Sequence, residues 1–289
     1  MKNKIIISGF ADEIAPQLSD QINVIRKLGI SHIEMRGVDG LSLVLHPFDD
    51  VWKIKTVLDQ NQIRLSAVGS PIGKIQITDP FEPHFELFKR TVAIAKILNT
   101  RLIRMFSFFI PENEKAESYQ DEVFQRMEAF VNYAVDQDVV LLHENEKDIY
   151  GDTAPRCRAL MDRFYGENFK AVFDFANFVQ VGQNTLEAYE LLKPFVYYIH
   201  VKDALNSDRQ VVPAGYGDGN VETILRGLFD SGFNGFLSLE PHLANFTGFS
   251  LLEKGDSDRK EPMSGEEAFT IAYFALMKIL DRLGIAVTA

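Results

Sequence analysis

Tyr197-Tyr198-Ile199-His200-Val201-Lys202-Asp203 is an apolar run that delivers a histidine, a lysine and an aspartate at its carboxyl end. Three other runs end alike. Val139-Val140-Leu141-Leu142 leads into His143-Glu144-Asn145, Ala171-Val172-Phe173 into Asp174, and Gly235-Phe236-Leu237-Ser238-Leu239 into Glu240-Pro241-His242. Each is short, bounded by polar or turn residues and rich in branched or aromatic side chains, the pattern of a strand buried on both faces. The steps from Glu144 to Asp174 to His200 to Glu240 are 30, 26 and 40 residues, and each accommodates a helix with two loops. The strands are therefore expected to be parallel. In a closed barrel all four ends open at one mouth, where barrel enzymes carry their chemistry. Two glutamates, an aspartate and a histidine converging there form a donor set for one hard or borderline divalent cation.

Outward from this half, the amino-terminal half repeats the same unit. Lys4 to Ser8 reads as a strand, followed by Leu18, Ile22, Ile25 and Leu28 at helical spacing and a stop at Gly29. His32 to Arg36, Arg64 to Val68 and Leu102 to Phe106 read as strands two to four. Helices over 47–60, 83–98 and 117–135 follow them, the last repeating Val123, Met127, Phe130, Val131 and Ala134. Further helices are expected over 153–164, 185–192, 221–229 and 266–283. Eight strand–helix units predict an α/β fold, a (β/α)8 TIM barrel occupying residues 1–289 as a single domain. The charge-rich stretch from Ser250 to Pro262 reads as a loop or lid.

With 46% hydrophobic and 25% charged residues, the 289-residue chain has ample material for one core. A formal charge of −11 and a pI near 5.1 oppose a polyanion, so no nucleic acid partner is expected. The single cysteine, Cys157, falls in a predicted helix and suits a packing role in a reducing compartment. No apolar span of membrane length occurs, and the amino-terminal apolar run is too short for a signal segment. A cytoplasmic location with no membrane partner is the expectation.

Other residues compete for a place at the mouth. His143 precedes Glu144 directly, and neighbours in a strand face opposite ways, so it is expected to face the helix layer. His242 lies two residues beyond Glu240, where substrate contact and loop packing are equally open. Lys202 and Arg209 lie in or after strand seven, within reach of an anionic or hydroxyl-rich substrate, although a solvated loop accounts equally for Arg209. Arg104, between Ile103 and Met105, is costly unless paired or at the mouth; the mouth is expected, with Glu34 as a candidate partner, and both are candidate substrate contacts. Gly215, Gly217 and Gly219 suit either a phosphate held by peptide N–H groups or a turn that needs positive φ.

Glu144-Asn145, Asp174 to Asn177 (Asp-x-x-Asn), His200 to Asp203 (His-x-Lys-Asp), Gly215 to Gly217 (Gly-x-Gly) and Leu239-Glu240 occur in this order at barrel spacing. In these motifs the chain resembles the sugar phosphate isomerase/epimerase superfamily of xylose isomerase-like barrels. That group includes ketose 3-epimerases, inosose dehydratases, hydroxypyruvate isomerases and endonuclease IV. The resemblance implies that Glu144, Asp174, His200 and Glu240 bind one divalent metal: manganese, cobalt, magnesium or zinc, with manganese favoured by three carboxylates and one imidazole. It further implies that Glu144 and Glu240 act as acid and base on a small sugar or polyol, through an enediolate that the metal stabilises. Asn177 stands where the epimerases often have histidine, and is expected to touch substrate. A metal-dependent sugar or sugar phosphate isomerase or epimerase is thus the leading expectation, with an inosose-type dehydratase using the same site as the alternative. A nuclease of the endonuclease IV kind fits less well with only six histidines, and a non-catalytic ligand-binding barrel less well with a complete ligand set. Self-association into a homo-oligomer is compatible with all of these.

Overall fold

The computed structural model describes residues 3–244 and 263–288. The first half-barrel runs β1 (Ile5–Gly9), α1 (Leu18–Lys27), β2 (His32–Met35), α2 (Phe48–Gln60), β3 (Arg64–Gly69), α3 (Phe81–Ile97), β4 (Leu102–Met105) and α4 (Gln120–Gln137). The second runs β5 (Val140–Glu144), α5 (Ala154–Phe164), β6 (Phe169–Asp174), α6 (Phe175–Gln180), α7 (Thr185–Leu192), β7 (Val196–Val201), α8 (Val221–Asp230), β8 (Gly235–Leu239) and α9 (Gly265–Arg282). All eight strands are parallel, in the order β1-β8-β7-β6-β5-β4-β3-β2. A single bridge from Phe10 to Glu34 joins the two outer strands and nearly closes the barrel.

Alternation along the strands divides the apolar material in two. Val140, Leu142, Val172, Tyr198 and Ala67 form one small cluster, apart from the large cluster that includes Leu141, Phe173, Ile199 and Leu237 with helical residues such as Phe88, Phe130 and Leu276. The interior is not wholly apolar. Ser8 Oγ lies 2.6 Å from Ser66 Oγ, which lies 2.9 Å from the Tyr198 hydroxyl, so buried hydroxyls satisfy one another beneath the mouth.

Helix ends fall within a few residues of the predicted ones. The sequence reading did not anticipate α6, which starts directly after β6 with no intervening turn; Asp174 caps it by accepting from the Asn177 peptide N–H at 2.8 Å. The predicted loop or lid at 250–262 lies outside the described residues. No helix among the described residues is long and apolar enough to cross a membrane.

Candidate metal centre

The carboxyl ends of β5 to β8 bring Glu144, Asp174, His200 and Glu240 together, each offering a ligand atom within 4.8 Å of the others. All four are buried, with at most 3% of any residue exposed. His200 Nδ1 is 3.0 Å from Glu144 Oε1, 3.7 Å from Glu240 Oε2 and 3.9 Å from Asp174 Oδ2. The two oxygens of Asp174 divide their work: Oδ1 caps α6, while Oδ2 faces the cluster.

Three polar atoms of this cluster, Glu144 Oε2, Asp174 Oδ2 and His200 Nδ1, are buried and make no hydrogen bond among the described residues. Such atoms are costly unless a further partner satisfies them. Burial, reinforced by the charges of Glu144 and Glu240, pushes the Asp174 carboxyl up to about 7, against the pull of Lys202. Three carboxylates therefore do not ionise together easily there, and a divalent cation reverses that balance. The donor set, the orphaned atoms and the crowded charge all fit such an ion, which Glu144, Asp174, His200 and Glu240 would hold.

Neighbouring side chains fix these four. Glu34, fully buried, lies 3.1 Å from His200 Nε2 through Oε2, which also accepts from Ser238 Oγ at 2.7 Å. A carboxylate there holds the ring proton on Nε2 and leaves Nδ1 facing the cluster. Asn145 Nδ2 donates to the Asp174 carbonyl and its Oδ1 accepts from the Asp174 peptide N–H, both at 3.0 Å, clamping the ends of β5 and β6 together. Asn177 Nδ2 donates to Glu144 Oε1 at 3.2 Å and to the Asn145 carbonyl at 2.9 Å.

The Lys202 ammonium lies 2.8 Å from Glu240 Oε2 and 3.3 Å from Asp174 Oδ2. Burial alone would lower its pKa, but the carboxylates of Asp174, Glu240 and Glu144 outweigh burial and hold it charged. His242 has φ +47, and its Nε2 stands 3.4 Å from Glu240 Oε1 and 3.5 Å from Glu13 Oε1. It thus borders the centre.

Several expectations need correction. Arg104 does not pair with Glu34: its Nη1 stands 3.5 Å from Glu144 Oε2, while Glu34 is committed to His200 and Ser238. A register shift between Ile33 and Glu34 in the β2–β3 pairing accompanies this arrangement and cannot be read from sequence. The Asn177 amide is directed to Glu144 and Asn145, which adds a positioning role to the substrate contact expected of it. Arg209 is exposed and binds the Val179 carbonyl and Asn206 Oδ1, with no contact to the four clustered residues, as a solvated loop residue would be. The phosphate reading of the glycine loop fails as well. The peptide N–H groups of Gly215, Gly217 and Gly219 donate to Asp203 at 3.0, 3.0 and 2.8 Å, so the loop cradles its own carboxylate. A Cβ on Gly217 or Gly219 would meet Asp203 Oδ1 at 2.6 Å, which explains glycine at both. His143, as expected, turns away from the mouth; its Nε2 meets Ser107 Oγ at 3.0 Å and burial lowers it to about 4.

Sequence reasoning missed Arg36, which donates to Asp12 at 2.8 Å, to Glu13 at 3.2 Å and to Glu240 Oε1 at 3.2 Å. The signal was present: Arg36 follows β2 and precedes Gly37, a charged residue at a strand's carboxyl end like the four that were recognised.

The sequence profile of the xylose isomerase-like TIM barrel family matches residues 22–264. A 3-dehydroshikimate dehydratase from Bacillus anthracis is 18% identical over 208 residues, covering 72% of this chain and 74% of that protein. Among solved structures, the IolI protein with a bound zinc atom superimposes with a TM-score of 0.73 at 16% identity, covering 96% of this chain and 99% of that one. The 3-keto-D-glucoside 4-epimerase YcjR from E. coli gives a TM-score of 0.68 at 13% identity, covering 97% and 100%.

Proposed function

Since the chain belongs to the xylose isomerase-like TIM barrel family, we propose that it is a divalent-metal-dependent isomerase or epimerase, moving a proton next to the carbonyl of a small sugar or polyol-derived substrate. The observation that carries this reading is the convergence of Glu144, Asp174, His200 and Glu240, with three of their polar atoms lacking hydrogen bonds among the described residues. When bound, the cation supplies Lewis acidity to a carbonyl and its neighbouring hydroxyl, acidifying the C–H between them. Glu144 and Glu240 stand at the ends of different strands, and each is held by cationic or amide donors that keep it an acceptor. Before a cation binds, His200, together with Arg104, lowers Glu144 against its burial, and Lys202 leads the groups that lower Glu240 against its own. One carboxylate removes the proton and the other returns it from the opposite face.

A dehydratase is a second reading, and the Lys202 ammonium beside Glu240 favours it. Its proton can leave with a β-hydroxyl as water once the carbon-bound proton is lost. The similarity to a dehydratase at 18% identity agrees with this outcome.

The test is a panel of ketoses, inososes and hydroxy-oxo acids incubated with manganese-loaded protein in deuterated water. Deuterium uptake with conserved mass otherwise supports isomerisation or epimerisation. Loss of water with a new ultraviolet absorbance from an unsaturated ketone supports dehydration. Chelated, metal-free protein that exchanges as fast as the loaded form refutes both.

A further inference from the structure

Among the described residues, four lysine and arginine side chains gather near the centre, and three donate hydrogen bonds to carboxylates. Arg36 donates to Asp12, Glu13 and Glu240; Lys202 donates to Glu240; Lys74 donates to Glu146 at 3.1 Å. Arg104 differs. Its side chain is 4% exposed, yet the guanidinium makes no hydrogen bond among the described residues, and its Nε is fully enclosed without a partner. The nearest carboxylate oxygen, Glu144 Oε2, is 3.5 Å away and is itself one of the atoms offered to a cation.

The guanidinium is nonetheless held in place. Its Cζ lies 4.5 Å from the centroid of the Phe106 ring and 5.3 Å from that of Phe10, while the Arg104 carbonyl accepts from Ser70 Oγ at 2.5 Å. Gly69 leaves the space that Phe10 and the arginines fill, since a Cβ there would come within 2.7 Å of Phe10 Cε1 and 3.1 Å of Arg36 Cβ. Aromatic faces orient a weakly hydrated guanidinium without satisfying its N–H groups. A buried fork of donors kept rigid and without a hydrogen bond, its one carboxylate neighbour 3.5 Å away and itself offered to a cation, is arranged for an acceptor that arrives with the ligand.

We propose that Arg104 receives a carboxylate of the substrate, so that the enzyme acts on a polyhydroxylated oxo acid in preference to a neutral sugar. A planar carboxylate matches the guanidinium fork in two parallel hydrogen bonds. The glycine loop offers no second site for a phosphate, its three N–H groups being donated to Asp203, and a phosphate would bring more negative charge than a carboxylate toward Glu144. This inference rests on reading the centre as a site of metal-dependent proton transfer.

The test compares three probes on one six-carbon chain: sorbitol, D-gluconate and sorbitol 6-phosphate. Each is titrated calorimetrically into manganese-loaded protein, with the heat of probe mixing with manganese alone subtracted. Wild type is expected to bind gluconate about ten- to a hundredfold more tightly than sorbitol, the range for a charge-assisted pair, and more tightly than sorbitol 6-phosphate. Arg104→Met should bring the gluconate-to-sorbitol ratio within about twofold while manganese affinity stays within about threefold. Arg104→Lys, which keeps the charge and loses the fork, should fall between them. Equal binding of gluconate and sorbitol by wild type, a preference that survives in Arg104→Met, or tighter binding of the phosphate would each overturn the proposal. Should Arg104→Met not fold, the wild-type ratio and Arg104→Lys decide the matter. A protein that takes up no manganese overturns this proposal together with the functional reading. Manganese uptake and proton exchange without a carboxylate preference overturn the proposal alone.

Discussion

Glu34 contacts no substrate in the proposed chemistry, yet its removal should show first in metal affinity. Its buried carboxylate accepts from Ser238 Oγ at 2.7 Å and lies 3.1 Å from His200 Nε2, so it fixes both the ring's tautomer and its direction. In Glu34→Gln the amide oxygen can still accept the Nε2 proton, but the negative charge that makes Nδ1 a better donor is gone. Loss of a partner of this kind typically costs ten- to a hundredfold in metal affinity. The isosteric glutamine belongs at the lower end, about tenfold or ~1.4 kcal/mol. Glu34→Ala removes the acceptor outright, leaves His200 Nε2 and Ser238 Oγ unsatisfied, and should cost roughly a hundredfold in affinity with a further ~1–3 kcal/mol of stability. Competition against a fluorescent chelator measures the affinities, and thermal unfolding of the metal-free proteins separates stability from binding. A well-folded Glu34→Gln protein that binds manganese within twofold of wild type would show the reasoning to be wrong.

Asn177→Ala should keep its metal but lower proton exchange by about tenfold, equally for every substrate, because Asn177 Nδ2 positions Glu144; a loss confined to one substrate would instead indicate direct contact. Asp203→Asn keeps the volume but leaves too few acceptors for the N–H groups of Ala204, Gly215, Gly217 and Gly219. It should destabilise the fold by about 2–3 kcal/mol and expose the loop to limited proteolysis, and unchanged denaturant midpoints would count against this. His84 accepts the Gly73 peptide N–H at 2.7 Å, and burial, assisted by Arg126, lowers its pKa to about 4. The folded value lies below the unfolded one, so stability is lost as pH falls from about 6.5 to about 4. After allowance for partial solvent screening, His84→Gln should flatten that slope by about 1–2 kcal/mol, read from denaturant curves across this range; an unaltered slope would place the titration elsewhere.

Sequence sufficed for the barrel because a strand covered on both faces must be apolar throughout, so polar residues at its end mark the mouth. Val140 to Leu142 and Ala171 to Phe173 illustrate this, each giving way at once to a clustered residue. Partnerships across the mouth were not legible, since they depend on stagger and side-chain direction. Glu34 and Arg104 are both buried, yet the register shift before Glu34 goes with a carboxylate beneath His200, and Arg104 is left beside Glu144. The glycine loop misled for a related reason. Its occupant, Asp203, lies 12 to 16 residues upstream of the N–H groups it receives, and local sequence does not distinguish an internal carboxylate from an external anion.

Glu144 and Glu240 are the same residue type in unlike surroundings, and this bears on the direction of proton flow. Glu144 is bordered by His200, by the amide of Asn177 and by Arg104. The imidazole is turned to the cation with its proton held by Glu34, and the Asn177 amide has no proton to give up. Glu240 is bordered by Lys202 at 2.8 Å, by His242 at 3.4 Å and by Arg36 at 3.2 Å. Burial and Lys202 both work against a charge on His242, but Glu13 and Glu240 outweigh them and raise it to about 9, so it is protonated at neutral pH. On the proposed reading Glu144 is therefore suited to remove the substrate proton, because its neighbours stabilise it as an anion without competing for that proton. Lys202 and His242 hold Glu240 as an anion as well, so a proton returned on that side comes by way of the protonated His242 beside it. A hydroxyl leaving on the Glu240 side draws on the same supply, so epimerisation and dehydration differ here in which substrate atom receives that proton.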